Sequence, residues 1–254
     1  MTPVQFPKQR EQSKFERELQ GMIRSDQEVE RSIGLIAVPC QELMRYAHFF
    51  ITFMALELPG KATVFCQPGL DIFKQCNDAI DEARRLASDW VWIIGDDHLF
   101  EPTIITDLVA HEKDVVVPFC LQRSSPYHPV IYEHENEDGE HMPYYNLPEH
   151  GLVEVYAAGS AGMLISKRVV DALPARPFTS NRGHHNEDLE FCRNVRQAGF
   201  KIYCDVDTKL GHVGTQFCIP EWKDDGHGWG VSVTLGPGVP ASFGRTDTGA
   251  LFMR

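Results

Sequence analysis

Long apolar runs are missing from this chain. No stretch approaches the ~18 consecutive apolar residues of a membrane-spanning helix, and no charged-then-apolar leader opens it. Positive charge is scarce: 24 Lys and Arg stand against 36 Asp and Glu, a formal net charge of −12. That balance argues against a broad nucleic-acid-binding face and against attraction to anionic membranes. It leaves room for a local basic cluster such as Lys167, Arg168, Arg176 and Arg182. Paired cysteines are also lacking. Seven cysteines are scattered with no Cys-x-x-Cys spacing, which reads as reduced thiols rather than a disulfide framework. No internal repeat is visible. These absences predict a soluble, cytoplasmic protein with no membrane insertion.

What is present is a chain of 254 residues, 43% hydrophobic, enough for a core that needs no staples. Residues 1–32 read as a polar arm. From residue 33 apolar runs and helical periodicities alternate. Strands are expected at Gly34–Pro39, Ala62–Cys66, Trp90–Ile94 and Asp114–Phe119, with Pro39 as the stop of the first. Helices are expected between them at Glu42–Leu58, Leu70–Ser88 and Glu101–Ala110. That alternation marks a wound α/β sheet. Beyond Leu121 the texture changes. Short strands are expected at Val130–Tyr132, Val153–Tyr156, Gly159–Ile165 and Lys201–Cys204, after which Leu210-Gly211-His212 leaves the core. Helices are expected at Lys167–Leu173 and Asn186–Ala198, the latter closed by Gly199. Residues 216–254, rich in Gly, Pro and Trp, read as an irregular tail covering a domain that spans 33–215.

The chain is organised around Trp90-Val-Trp-Ile-Ile-Gly-Asp-Asp-His98. A buried strand runs into a glycine and then into Asp96, Asp97 and His98. Polar groups just past the carboxyl end of such a strand stand where open α/β sheets bind ligands. Two acids and an imidazole in a row suit a divalent cation, and equally suit a solvated turn. Two further clusters follow. Glu187 and Asp188 begin a helix, where carboxylates also stabilise the helix dipole by ~0.3–1 kcal/mol each. His212 follows a late strand.

The order of these pieces resembles glycosyltransferases of the GT-A fold, especially family-2-like enzymes and the polypeptide N-acetylgalactosaminyltransferases. The resemblance covers about residues 33 to 215. It rests on the first strand ending near Pro39, the helix carrying Asn77, the Asp96-Asp97-His98 motif, the Gly159–Ile165 strand, the Glu187-Asp188 helix start and the later His212. It implies a Rossmann-like, nucleotide-diphosphate-sugar-binding sheet with helices on both faces. The implied activity is metal-dependent transfer from a nucleotide-diphosphate sugar, most simply a UDP-sugar. Asp96, His98 and His212 would hold Mn²⁺ or Mg²⁺, with imidazole favouring Mn²⁺. Pro39, Asn77, Asp96 and Asp97 would face the donor. Asp188 would take the proton from the acceptor hydroxyl as it leaves, and Glu187 would position sugar or acceptor. The departure from the commoner motif is His98 in place of a second Asp.

The acceptor stays open among a glycan, a protein, a small molecule and a hydroxymethylated DNA base of phage type. Outside the core motif, His184 and His185 read as loop residues, and Arg123 and Lys209 as cations able to meet a diphosphate. Tyr127, Trp222 and Trp229 read as packing or sugar-stacking rings. Two alternatives remain. A nucleotidyltransferase would want a glycine-rich basic loop after the first strand, where Pro39-Cys40-Gln41-Glu42 stands instead. A non-catalytic sugar-nucleotide-binding module would share the same residues.

Overall fold

A computed structural model describes residues 32–40, 47–69, 71–179, 187–213, 216–222, 228–235, 239–245 and 251–253. The first wound unit is strand β1 (Ser32–Cys40), helix α1 (Ala47–Met54) and strand β2 (Gly60–Pro68). Pro39 does not end β1, which runs on to Cys40 in parallel register with Pro68. Helix α2 (Ile72–Leu86) follows. Asp71 caps it by accepting from the Lys74 amide at 3.0 Å. Strand β3 (Trp90–Ile93) then enters beside β1 in parallel register. A two-residue strand β4 (His98–Leu99), helix α3 (Ile104–Val109) and strand β5 (Val115–Cys120) complete this half.

Strand β3 shows why the apolar run carries no alternation. Val91 and Ile93 pack with α2 on one face of the sheet. Trp90, Trp92 and Ile94 pack with α1 and α3 on the other. Helices cover both faces, so every position on the strand is buried. The mixed α/β sheet with helices on both faces is therefore present. A later strand, β10 (Met163–Ser166), inserts antiparallel between β3 and β5.

The second half holds strands β6 (Ile131–Glu135), β7 (His141–Pro143), β8 (Leu152–Val155) and β9 (Ala157–Ala158). β7, β6 and β9 form a separate three-stranded sheet, and β8 joins the main one. Helices α4 (Lys167–Ala172) and α5 (Glu187–Gln197) pack on the α2 side. The short strand expected at 201–204 runs on as one twelve-residue strand, β11 (Ile202–Val213), and the 210–212 stretch expected to leave the core is part of it. An irregularity between Asp205 and Lys209 lets it keep pairing with β5. His184, His185, Asn186 and Arg182 lie outside the described residues, as does the polar arm.

The tail is a correction. Within 216–254, strands β12 (Gln216–Trp222), β13 (Trp229–Leu235), β14 (Val239–Arg245) and β15 (Leu251–Met253) extend the sheet antiparallel from β11. Glycine and proline drew the reading of irregular chain. Neighbouring backbones in an antiparallel ladder satisfy each other's N–H and C=O groups, and the ladder persists across Pro220 and Pro240, which have no N–H to donate.

Candidate active site

The site grows from three backbone ties between the 96–99 segment and the end of β11. His98 lies opposite His212, Leu99 opposite Gly211, and the Val213 amide donates to the Asp97 carbonyl at 2.7 Å. Two residues 114 positions apart thus become cross-strand neighbours, with their imidazoles stacked at 4.6 Å and 23°. Gly95 permits the bend. A Cβ there would meet Asp97 Oδ1 at 2.9 Å and the His98 ring at 3.2 Å.

Asp97 is no solvated side chain. Its Oδ1 lies 3.1 Å from His98 Nδ1 and its Oδ2 3.3 Å from His212 Nε2. Arg123 donates to Oδ2 at 2.9 Å. His98 Nδ1 also faces the Gly95 carbonyl at 3.1 Å, and His212 Nδ1 faces the Leu121 carbonyl at 3.0 Å. Both Nδ1 atoms are thereby committed; His98 Nε2 is the nitrogen available to a ligand, whereas His212 Nε2 already faces Asp97 Oδ2. His98 Nε2 is buried with no hydrogen-bond partner. The third neighbour is Cys120, the last residue of β5. One ligand atom from each of His98, Cys120 and His212 falls within 4.8 Å of the others.

Charges here are strongly coupled. Burial alone would raise the Asp97 carboxyl, but hydrogen bonding to His212 and His98 outweighs it and holds the group well below the usual carboxylate range. Burial would lower both imidazoles. Asp97 and the Cys120 sulfur reverse that, taking His98 to about 9 and His212 to about 10. Burial would raise the Cys120 thiol, and the two imidazoles instead bring it to about 7. The cluster therefore gathers negative charge from Asp97 and Cys120 around two imidazoles. That donor set, with a buried unpartnered nitrogen, fits a divalent cation as well as protons.

A cavity of about 340 Å³ opens beside this cluster. Pro39, Asp96, Asp97, His98, Glu187, Asp188 and His212 all line it. Asp96 is 6% exposed, at the head of the motif. Asp188 sits where the chain 159–161 passes closely: a Cβ on Gly159 would come within 3.4 Å of its Oδ2. The Leu189 amide donates to Asp188 Oδ1 at 2.8 Å. Withdrawal from solvent pushes the Asp188 carboxyl up, and the Glu187 charge adds to this, to about 7 despite those backbone donors.

Asn77 does not join the cavity lining. It is buried in α2, with its amide donating to the Phe178 carbonyl at 2.7 Å and accepting from the Phe178 amide at 3.1 Å. That pairing occupies the Asn77 amide and braces the segment before α5. Tyr127 and Trp229 are buried packing residues, and Trp229 donates to the Tyr145 carbonyl at 3.0 Å. Trp222 packs obliquely on Phe119, ring centroids 6.4 Å apart.

Sequence reasoning missed three participants. Cys120 was hidden in the apolar run Val115–Cys120, and its position at a strand's carboxyl end was the available signal. Arg123 was read as a cation able to meet a diphosphate, and its tie to Asp97 needed the fold. Gln75 bridges the carbonyls of Cys40 and Gly69 at 3.0 and 2.8 Å, joining the ends of the first two strands at the cavity wall.

No protein-family model and no curated protein sequence matches this chain. Among solved structures, A197 from STIV matches with a TM-score of 0.51 and 13% identity, covering 74% of this chain and 89% of that one. S. aureus TarS 1–349, solved in complex with UDP-GlcNAc, matches with a TM-score of 0.41 and 11% identity over 69% of this chain and 58% of that one. The likeness to A197 is one of fold alone, over most of both chains.

Proposed function

We propose that this protein is a metal-dependent glycosyltransferase that moves a sugar from a nucleotide-diphosphate sugar, most simply a UDP-sugar, to an acceptor hydroxyl. One observation carries the reading. A single cavity is lined both by a cation-suited group, Asp96, His98 and His212, and by a carboxylate pair, Glu187 and Asp188. Bond cleavage leaves a diphosphate, whose growing charge needs a cation, while the acceptor must lose a proton. The two tasks match the two groups.

His98, through its unpartnered Nε2, and His212 would hold the ion, with Asp96 facing it or its bound water. When bound, a divalent ion neutralises the departing diphosphate. Asp97 fixes both imidazoles, and Arg123 holds Asp97. Pro39 and Gly159–Ala161 shape the cavity and exclude water. Asp188, partly protonated near neutrality, takes the hydroxyl proton once the bond to sugar is forming. Glu187 raises the basicity of Asp188 through its charge.

The test is release of free nucleotide diphosphate from a panel of UDP-sugars with Mn²⁺ or Mg²⁺. Turnover is expected, and Asp96→Ala and His98→Ala should each abolish it while the circular dichroism spectrum is kept. Retained turnover in both variants, or no binding and no release across the panel with any cation, overturns the reading.

A further inference from the structure

We propose that Cys120 is a direct ligand of the ion, so that the site is a His98–Cys120–His212 centre selecting thiophilic, borderline ions such as Zn²⁺ or Co²⁺ over Mn²⁺ and Mg²⁺. This rests on the reading of the same cavity as a cation site, and it changes which ion that site takes. Three strands converge to build it. Strand β4 brings His98, β11 brings His212, and β5 ends in Cys120, 1% exposed. Their ligand atoms lie within 4.8 Å of one another. A tetrahedral ion with Zn–S of about 2.3 Å and Zn–N of about 2.0 Å needs its ligands roughly 3.3–3.6 Å apart. Movement of about 1 Å closes the centre around such an ion.

A second observation concerns the nitrogen itself. His98 is 4% exposed, and its buried Nε2 has no hydrogen-bond partner. A buried polar nitrogen costs free energy unless something pairs with or coordinates it. The outer support that ligating histidines ordinarily have is in place, with Asp97 Oδ1 3.1 Å from His98 Nδ1 and the Leu121 carbonyl 3.0 Å from His212 Nδ1. Three protein ligands leave a fourth position free for a phosphoryl oxygen or water, the pattern of a catalytic rather than a structural ion. Soft thiolate selects against Mg²⁺ and weakens the advantage of Mn²⁺. On binding, the Cys120 S–H and one N–H of each imidazole give their protons to bulk water as the S–metal and N–metal bonds form. No oxidation is involved.

The experiment is titration of the metal-free full-length chain with Co²⁺, followed by absorption. The expected result is a thiolate-to-cobalt charge-transfer band in the near ultraviolet, with the intense visible bands of a four-coordinate ion. Cys120→Ser should lose the charge-transfer band and bind Co²⁺ at least tenfold more weakly. Cys66→Ser, which alters an exposed thiol away from the cluster, should keep the band. Zn²⁺ should displace Co²⁺ at far lower concentration than Mn²⁺ does. A six-coordinate spectrum without the band in the unaltered chain overturns the proposal, whether or not the variant folds. So does a band that survives in Cys120→Ser. Donor turnover without the band removes Cys120 from the ligand set and leaves the transferase reading standing. The band without turnover does the reverse.

Discussion

At the residue scale, Gly95 sets how closely Asp97 and His98 fold back on the strand they leave. Any Cβ at 95 is pushed to 2.9 Å from Asp97 Oδ1. Gly95→Ala is therefore expected to displace both side chains and to weaken cation binding by about 10–100-fold, the usual cost of disturbing a ligand's support. Equilibrium dialysis reads this, and unchanged affinity would show that the bend is not under that constraint. Asp188 makes a different prediction. Its folded-state carboxyl titrates near 7 rather than at the ordinary 3.8. The folded chain then binds that proton more tightly than the unfolded one. Its contribution to stability is present at low pH and lost as pH rises from about 4 through about 7. Asp188→Asn should flatten that slope and raise the melting temperature at pH 8. It should also abolish transfer, whose rate in the unaltered chain climbs as pH passes 7. A variant that melts lower at pH 8 would contradict the assignment.

At the element scale, Arg84 ties α2 to the end of α4. Its guanidinium donates to the carbonyls of Val170, Leu173, Pro174 and Ala175 at 2.8–3.3 Å. These are acceptors at a helix terminus with no intrahelical partner. Arg84→Ala should cost about 1–3 kcal/mol in urea unfolding, and Arg84→Lys should recover only part of that, because an ammonium cannot fork across several carbonyls. No loss in either variant would mean water replaces the guanidinium freely. Elements of this kind decide what could be read from the sequence. The wound half was legible because each helix has a buried stripe and each strand an apolar run, and burial on both faces leaves that mark in composition. The tail was partly legible too. Trp229, Val231, Val233 and Leu235 alternate with Gly230, Ser232 and Thr234, a period-two pattern that the surrounding glycines and prolines concealed. The partnership of Cys120 with His98 and His212 was not legible. It depends on strand order, and nothing in one chain's sequence states that β5 and β11 are neighbours.

For the whole molecule, the acidic balance and the ion belong together. With a formal charge of −12 the chain repels a diphosphate at long range, so in the proposed reaction a donor's hold would depend on a cation and on nearby groups such as Arg123. Donor affinity should therefore collapse on chelation. The ion should also join three strands that are otherwise held by backbone pairing. At 100 times its dissociation constant it would add about 2.7 kcal/mol to stability, seen as a higher melting temperature that a chelator reverses. A melting temperature indifferent to every divalent ion would exclude a tightly held centre. Fluorescence-monitored melting with and without chelator makes the measurement.

Strand β11 pairs on one side with β5 and β4 and hands over, at His212 and Val213, to the hairpin that begins the C-terminal ladder. The rung that presents His212 is thus also the hinge pin of that ladder. If the proposed cation centre forms, fraying of the ladder would lower the fraction of molecules in which it is closed, and observed affinity would fall by the same fraction without any ligand being altered. Substitutions in β13, β14 and β15 would then masquerade as defects in metal binding.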